Sequence, residues 1–287
     1  MRCKSIYGAG ALILVISMLL FNACHQSAVN PSLSADDNGG YASDASRLEF
    51  ATDDAISLAD AAGATYNSAF MRNANGSRTT YIGHCASVGV DTNDNPHTLS
   101  INFGDTDCVC LDGRKRRGYI WVTYSGNYTD ASQMHTISFD NYFVDNNQLG
   151  GTIQTWRVDT TVTGNWYYNV QVNDTMTVSN GGTQNLTSVW QGNLERRWIR
   201  GYDSSDRTSE VFFISGAATL TRANGNVFTM AIATPLQVTI GCNFIESGVI
   251  DVSSPAGSRR LDYGTGGCDQ NANLYIGLTS YSIGLVQ

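Results

Sequence analysis

A high density of β-branched and aromatic residues is the strongest pattern in this chain, and it peaks in two neighbouring stretches. These stretches are residues 118–128 and 134–144, with Asn and Asp residues between them. Such runs, separated by turn-forming residues, predict an antiparallel hairpin. Side chains alternate across a strand, so Trp121 lies on one face of the first strand and Val122 on the other. Because both faces carry apolar groups, we expect a central strand or an aromatic face turned to a ligand.

The same composition recurs in short segments from Ser77 to the C-terminus. Asn- and Gly-rich turns separate these segments, for example Asn180-Gly181-Gly182 and Asn224-Gly225-Asn226. Strands at regular spacing without intervening helices pair antiparallel, because parallel pairs need long crossovers. Residues 78–287 are therefore expected to form a single antiparallel β domain. The predicted fold class is mainly β, an antiparallel sheet meander that is sandwich-like or strongly curved, with one short N-terminal helix.

The predicted helix covers residues 52–62, within a short helical lead-in at residues 47–77. Thr52 is the candidate N-cap, the two aspartates after it favour the positive end of the helix dipole, and Gly63 offers a stop. We expect this short helix to pack against the sheet.

Residues 1–23 have the charged start and the apolar run of an export signal and are excluded from the fold. The apolar run is shorter than the roughly 20 residues that a membrane span needs. Ala23 directly before Cys24 resembles the lipobox of bacterial lipoprotein signal peptides, although Phe21 stands where that pattern usually has Leu. The resemblance implies that Cys24 is lipidated and that the membrane is a partner through its acyl chains. A plain secretory signal is the alternative.

Residues 24–46 consist largely of small and polar residues and are predicted to be a flexible tether. Surface-exported lipoproteins of Bacteroidota often carry acidic residues immediately after the lipidated cysteine, whereas the first acids here are Asp36 and Asp37. We expect a location in the cell envelope, lipid-anchored at the outer membrane. Both the cell surface and the periplasmic side stay open.

The overall charge narrows the range of partners. The chain has a net charge of −8 at pH 7 and is 42% hydrophobic, which is typical of an acidic globular protein and predicts no nucleic-acid partner. The run Arg114-Lys115-Arg116-Arg117 is the exception, and its flanking glycines favour a loop. We expect a solvated turn that protects the edge of an aromatic strand. A site for an acidic glycan or a phosphate is the alternative.

Five cysteines remain once the signal peptide and the lipidated cysteine are set aside. An odd number leaves one thiol free, externally paired or metal-bound, and an exported compartment favours disulfides. We expect Cys242 to pair with Cys268, and Cys85 to pair with either Cys108 or Cys110. Cys108 and Cys110 would project to the same side of a strand, so a metal pair is the alternative, but no histidine motif accompanies them.

Motifs of established catalytic chemistry are missing from the sequence. Its four histidines form no His-Glu-x-x-His motif, and there is no Gly-x-Ser-x-Gly elbow. Asp91-Thr92-Asn93-Asp94-Asn95 has the oxygen spacing of a calcium loop, but Pro96 replaces the required glycine, so we expect an ordinary turn. No metal or cofactor is therefore predicted.

A pair of carboxylates for glycosidase chemistry could still come from any two strands. The acids on predicted strands are Asp140, Glu195, Glu210 and Asp262. We expect each of them to be a salt-bridge partner of a neighbouring arginine, and no residue is assigned a catalytic role.

Tryptophans are the candidate ligand-binding residues. In residues 189–200, Trp190 and Trp198 share one predicted face with Arg196. Such a face can stack a sugar ring or form internal cation–π contacts. The candidates are Trp121, Trp190 and Trp198, and a place in the core is the alternative for each.

Three groups of short motifs resemble, in their order, uncharacterised lipoproteins of Bacteroidota that end in an Asp-Tyr-Gly, Gly-x-Cys-Asp type signature. The motifs are Ile101-Asn102-Phe103-Gly104, then Asp112-Gly113-Arg114 with Arg117-Gly118, and finally Arg259-Arg260-Leu261-Asp262-Tyr263-Gly264 with Gly267-Cys268-Asp269. That family has no established activity, so the resemblance implies no catalytic residue. The last turn could bind a cation or be a tight disulfide-anchored loop. Asp174-Thr175-Met176 resembles the O-glycosylation acceptor pattern of Bacteroidota.

These observations favour a non-catalytic envelope module that binds a glycan or another envelope protein, or that has a structural role. A glycoside hydrolase that uses two carboxylates is one alternative. A fimbrial or assembly subunit is the other, and an exposed edge strand would favour it.

Overall fold

The computed structural model of the chain has one long helix with a curved antiparallel sheet wrapped around it. It describes residues 40–67, 85–130, 133–158, 166–180, 184–201 and 209–285. The helix α1 spans Gly40–Asn67. The strands are β1 Ser87–Asp91, β2 His97–Asn102, β3 Cys108–Val109, β4 Lys115–Tyr124, β5 Met134–Val144, β6 Asn147–Val158, β7 Tyr167–Asn180, β8 Gln184–Arg200, β9 Val211–Thr221, β10 Val227–Thr239, β11 Ser247–Ser254, β12 Gly257–Thr265, β13 Asn271–Ile276 and β14 Thr279–Gly284.

All strands belong to one 14-stranded sheet whose order follows the chain from β1 to β14, with the short β3 paired to β4 off this path. Neighbours in sequence are neighbours in the sheet because short turns can join antiparallel strands. The sheet does not close, and β1 and β14 are its two edges. The predicted mainly-β antiparallel meander is confirmed.

The core lies between the inner face of the sheet and the helix. In β4, Ile120 and Val122 are fully buried, whereas Trp121 between them is partly exposed. The side chains of α1 are buried along most of the helix, and its many alanines let strands approach it closely on several sides. The apolar part of this core includes Tyr41, Leu48, Ala55, Leu58, Ile120, Ile137, Phe212 and Leu274. Fully burying a large apolar side chain contributes about 1.5–3 kcal/mol.

The helix is longer than the sequence pattern indicates. It begins at Gly40, inside the stretch expected to be a tether, and it continues to Asn67. Thr52 is not an N-cap, because it lies in the middle of the helix, where its hydroxyl donates a hydrogen bond to Oδ2 of Asp174 at 3.0 Å. Burial inside the sheet stabilises the helix beyond the bounds that local capping residues indicate. Within the described ranges, no helix has both the length and the apolar character needed to cross a membrane.

Ion pairs between buried groups join the helix to the sheet. Nη2 of Arg116 lies 2.8 Å from Oδ1 of Asp54. Arg196 pairs with Asp53, and its Nη2 donates to the Ser57 hydroxyl at 2.8 Å. These contacts explain why Asp53 and Asp54 can lie in the interior, because each of the two carboxylates meets a guanidinium.

The basic run is not a solvated turn. Strand β4 begins within it, and the alternation of side chains turns Arg114 and Arg116 inward, where they are 5% and 0% exposed. Arg114 donates to Asp145 at 2.8 Å, and Arg117 pairs with Asp107 on the surface. Because an aspartate neutralises each of these three arginines, the run is also a poor site for an acidic glycan or a phosphate.

The cysteine predictions are confirmed. Disulfides join Cys85 to Cys108 and Cys242 to Cys268, and Cys110 is a buried free thiol. The first disulfide selects between the two partners that the sequence left open for Cys85. A metal pair of Cys108 and Cys110 is excluded, since the sulfur of Cys108 is already in a disulfide.

Candidate functional site

Uncharged polar side chains form two parallel rows across the outer face of the sheet. In one row Thr152 of β6, Asn173 of β7 and Gln191 of β8 are direct cross-strand neighbours. The second row, two residues further along each strand, is Gln154, Gln171 and Asn193. These side chains share one face because residues two apart on a strand point the same way.

The two rows line a groove with a volume of about 540 Å³. Val172 and Gly192 lie between the rows, and no residue that lines the groove is charged. Packing explains why residue 192 is a glycine, because a Cβ there would come within 2.5 Å of the Ala218 Cβ and 2.6 Å of the Ala217 carbonyl oxygen. Strands β8 and β9 therefore approach so closely that only glycine fits.

The amides of this groove can both donate and accept hydrogen bonds. The Gln191 amide donates to Oδ1 of Asn173 at 2.8 Å, so one pair is already oriented. Gln171, Asn173, Gln191 and Asn193 are exposed to solvent. The arrangement can bind a ligand that carries several neutral hydrogen-bonding groups, and it offers no titratable side chain for acid–base chemistry.

An aromatic platform lies on the same outer face, formed by Tyr119 and Trp121 of β4. The two rings are nearly parallel, at 10°, with centroids 5.9 Å apart, and both side chains are partly exposed. Trp121 is therefore the predicted candidate that the structure leaves accessible to a ligand.

The other two tryptophan candidates have different surroundings. Trp190 is 2% exposed and belongs to the core, as the alternative to ligand binding had anticipated. Trp198 is only partly buried, but its ring packs on Phe212 at a centroid distance of 5.1 Å. The structure does not bring either ring to the groove or to the Trp121 platform. Their shared face on β8 is the inner one, which also carries the fully buried Arg196.

The groove amides were missed in the sequence, although a signal exists. Gln171 and Asn173 on one strand, and Gln191 and Asn193 on the next, alternate with residues that point inward. A period of two in amide residues marks a polar outer face.

The four acids on the predicted strands have different surroundings. Glu195 pairs with Arg197 at 2.7 Å, as expected. Glu210 is buried, Asp140 is exposed and accepts a hydrogen bond from Asn141, and Asp262 accepts one from the backbone N–H of Gly264. For Glu195 the expected arginine partner is observed.

A second groove, of about 580 Å³, lies over β11, β12 and β13 and contains Asp251, Arg260 and Asp262. Arg260 donates to both oxygens of Asp251, at 2.7 and 3.0 Å. These hydrogen bonds lower the pKa of Asp251, so this carboxyl stays ionised and is unsuited to act as a general acid.

The strongest upward pKa shifts among the carboxyls occur inside the protein, away from these grooves. Burial raises the pKa of Glu49 to about 8, and the Asp53 charge adds to the shift. Burial also raises the pKa of Asp174, although the Thr52 hydroxyl that donates to it acts in the opposite direction. These groups are enclosed between helix and sheet, so they are structural and not available to a substrate.

The candidate cation sites are turns stabilised by their own side chains. Oδ1 of Asp91 accepts the backbone N–H of Asn93 at 2.9 Å. Asp269 likewise accepts the backbone N–H of Asn271 at 2.7 Å, in the loop that the disulfide of Cys268 anchors. In the described part of the chain, no group of three or more His, Cys, Asp or Glu side chains is placed to hold a metal ion.

The glycosylation-like triplet lies inside the sheet. Asp174 and Met176 point inward and are 0% and 3% exposed, and Thr175 between them pairs in register with Gly150 and Val189. In the folded protein, neighbouring strands therefore flank the Thr175 backbone on both sides.

Comparison of the chain with protein-family models, with curated proteins and with solved structures gives no match, so its function has to be inferred from its own geometry.

Proposed function

We propose that this protein is an exported, lipid-anchored binding module for a neutral polysaccharide of the cell envelope or its surroundings, without catalytic activity. The observation that carries the proposal is the uncharged amide groove formed by β6, β7 and β8 on the outer face of the sheet. The Tyr119–Trp121 platform on the same face adds to its support.

The chemistry of the groove matches a sugar better than a charged ligand. Each sugar hydroxyl both donates and accepts, and so does each glutamine or asparagine side chain. Amides bind such groups without a large desolvation cost, because they carry no charge. An exposed aromatic ring offers an apolar surface that covers the C–H side of a sugar ring.

The absence of titratable side chains from the groove favours binding over hydrolysis. Glycoside hydrolysis needs one protonated carboxyl and one ionised carboxylate on either side of the bond. In the second groove, Asp251 is held ionised by Arg260. Asp251 therefore cannot supply the protonated carboxyl that such a reaction needs, and the hydrolase is the weaker candidate.

The location rests on the sequence of residues 1–24 alone. Lipidation of Cys24 would tether the sheet to the membrane and concentrate it near envelope glycans. The mass of the N-terminal peptide tests this part of the proposal, because diacylation or triacylation adds a large increment on Cys24. A Cys24→Ala variant that stays in the membrane fraction to the same extent would contradict it.

The binding test uses the mature protein purified in mild detergent. The protein is incubated with insoluble cellulose, xylan, mannan and chitin, and both its retention and the released reducing ends are measured. The groove variant is Gln171→Ala with Asn193→Ala. The matched control is Thr229→Ala with Ser253→Ala, a cross-strand pair on β10 and β11 outside the groove.

We expect at least one polymer to retain the wild type and the control, to retain the groove variant at least about tenfold less, and to release no product. A tenfold loss corresponds to about 1.4 kcal/mol, one or two neutral hydrogen bonds. Product release would overturn the non-catalytic assignment. Equal retention of all three proteins would remove the groove as the site, and failure of all four polymers to retain the wild type would favour a protein partner.

A further inference from the structure

We infer that the amide groove and the Tyr119–Trp121 platform are two parts of one site, which holds a linear neutral glycan lying across the strands. The inference rests on the proposed function and adds the shape, minimum length and direction of the ligand. It depends on the register of five neighbouring strands, β4 to β8.

The rows that line the groove continue without interruption to the platform. Trp121 is the direct cross-strand neighbour of Ser138, and Ser138 is that of Thr152 at the edge of the groove. In the second row, Thr123 is followed by Thr136 and then by Gln154. Trp121 therefore lies on the line of the first row, and Tyr119 lies two residues further along β4, on the side away from the second row.

The distance between the two parts suits an oligosaccharide. Trp121 and Thr152 are two strand spacings apart, which is about 10 Å. The two rows are about 7 Å apart, since they are separated by two residues along each strand. A chain that enters the groove along these rows thus reaches the indole ring after a short span, whereas a single sugar ring contacts only one part.

The surface between the two parts leaves room for a chain. Ser138 and Thr136 are small, partly exposed and uncharged. Asp140, the neighbour of Tyr119, lies outside the two rows, at the far side of the platform. A linear glycan can therefore pass over β5 without displacing a large side chain or meeting a charge.

The ligand class follows from the lining of the whole strip. Its side chains are amides, hydroxyls and aromatic rings, which bind neutral sugars by hydrogen bonds and ring contacts. A polymer with a charge on every unit would meet no counter-charge in the two rows. We therefore assign the site to an unbranched, uncharged glycan.

The test measures affinity as a function of chain length. The polysaccharide that retains the protein is partially hydrolysed, and its disaccharide and hexasaccharide fractions are titrated into the mature protein by calorimetry. Three variants accompany the wild type: Trp121→Ala removes the platform, Ser138→Gln narrows the strip, and Ser138→Ala is the matched control.

We expect the wild type to bind the hexasaccharide at least about tenfold more tightly than the disaccharide. Trp121→Ala and Ser138→Gln should abolish this difference and leave the disaccharide affinity within about twofold of the wild-type value. The control Ser138→Ala should keep the tenfold difference. A tenfold change in affinity corresponds to about 1.4 kcal/mol, which we attribute to the loss of one stacking contact. Unfolding temperatures of the variants serve to confirm that each one is folded.

Two results would overturn the inference while leaving the groove proposal intact. One is equal affinity of the wild type for both fractions. The other is a Trp121→Ala variant that binds the hexasaccharide as tightly as the wild type does. If the groove variant Gln171→Ala with Asn193→Ala binds both fractions normally, the proposed site itself fails, and this inference fails with it.

Discussion

Arg116 and Asp54 form an ion pair from which solvent is excluded on both sides. Their closest atoms, Nη2 and Oδ1, are 2.8 Å apart, and the two side chains are 0% and 1% exposed. The same guanidinium binds Asp112 at 2.7 Å. A strand of the sheet, the turn before it and the helix therefore meet at one buried cation, which fixes the position of the helix along the sheet.

Replacing Asp54 by Asn should be strongly destabilising. The variant keeps the shape of the side chain but removes a charge from a buried pair, which typically costs about 3–5 kcal/mol. Because Asp112 still faces Arg116, we expect a loss near the lower end of that range. Urea denaturation followed by tryptophan fluorescence measures the free energy of unfolding.

The control for Asp54→Asn is Glu195→Gln, which breaks the Glu195–Arg197 pair. That pair has a similar separation of 2.7 Å, but its side chains are 33% and 34% exposed. Partly exposed pairs contribute about 1 kcal/mol or less. Equal losses in both variants would contradict the view that burial of the pair, and not its geometry, decides its importance.

Stability should fall with rising pH because of Glu49. Burial raises its pKa from 4.5 to about 8, so the folded state holds a proton that the unfolded state has lost. The contribution of this neutral carboxyl is complete below pH 4.5 and disappears as the pH rises through about 8. One such proton changes the free energy of unfolding by about 1.4 kcal/mol per pH unit between these limits.

The Glu49→Gln variant should therefore show a flatter dependence of the free energy of unfolding on pH, measured from pH 5 to pH 8. The control is Thr229→Ala on the exposed face of β10, which removes no titratable group and should keep the slope of the wild type. Asp174 acts in the same direction as Glu49, because burial raises its pKa too. An unchanged slope in Glu49→Gln would show that the folded protein does not keep this proton.

Alkylation should find Cys110 only after unfolding. The thiol is 4% exposed and burial raises its pKa, so both its accessibility and its thiolate fraction are low. We expect no modification of the five cysteines of the folded part under native conditions, one after denaturation, and five after denaturation with reduction. Peptide mass spectrometry identifies the sites. Modification of Cys85 or Cys242 without reduction would contradict the disulfide assignment.

Gly118 should be intolerant of a side chain. Its φ is 87°, and a Cβ there would come within 2.0 Å of the Asn141 carbonyl oxygen, beside the register shift between β4 and β5. Gly113 is the matched control, since its φ of 81° is similar but nothing lies within 4 Å. Gly113→Ala should cost about 1–2 kcal/mol for the left-handed backbone.

Gly118→Ala should cost more than Gly113→Ala by about 1–3 kcal/mol, because the neighbouring strand has to shift. Thermal and urea denaturation of both variants measure the difference. Equal losses would mean that backbone conformation alone accounts for the glycine at residue 118 and that the contact with Asn141 relaxes freely.

Local pattern was a good guide to the strands and a poor one to the helix. The stretch 134–144 was predicted with the bounds that β5 has, because period-two alternation and flanking turns are local properties. The helix was predicted too short because α1 gains its stability from burial on several sides, and the first helical turn has no acidic residue that would signal its start.

The candidate site was only partly visible. Trp121 was selected from composition and lies on the outer face, but Trp190 was selected in the same way and lies in the core. In β8 the amides of Gln191 and Asn193 mark the outer face, opposite to Trp190, whereas in β4 both faces carry apolar residues and alternation alone does not say which of them turns outward. That choice depends on where the helix packs.

Short-range properties of the chain thus set the strand periodicity, the antiparallel order and the odd count of cysteines, since each depends on neighbouring residues or on composition. The register that brings Thr152, Asn173 and Gln191 into one row arises from hydrogen bonds between successive strands, and no single strand contains that information. The inward turn of Arg116 likewise depends on Asp54, an acid of the helix that lies 62 residues earlier in the chain. Long-range pairing and burial decide such features, because a charge or an amide acquires its role only from the groups that the fold places beside it.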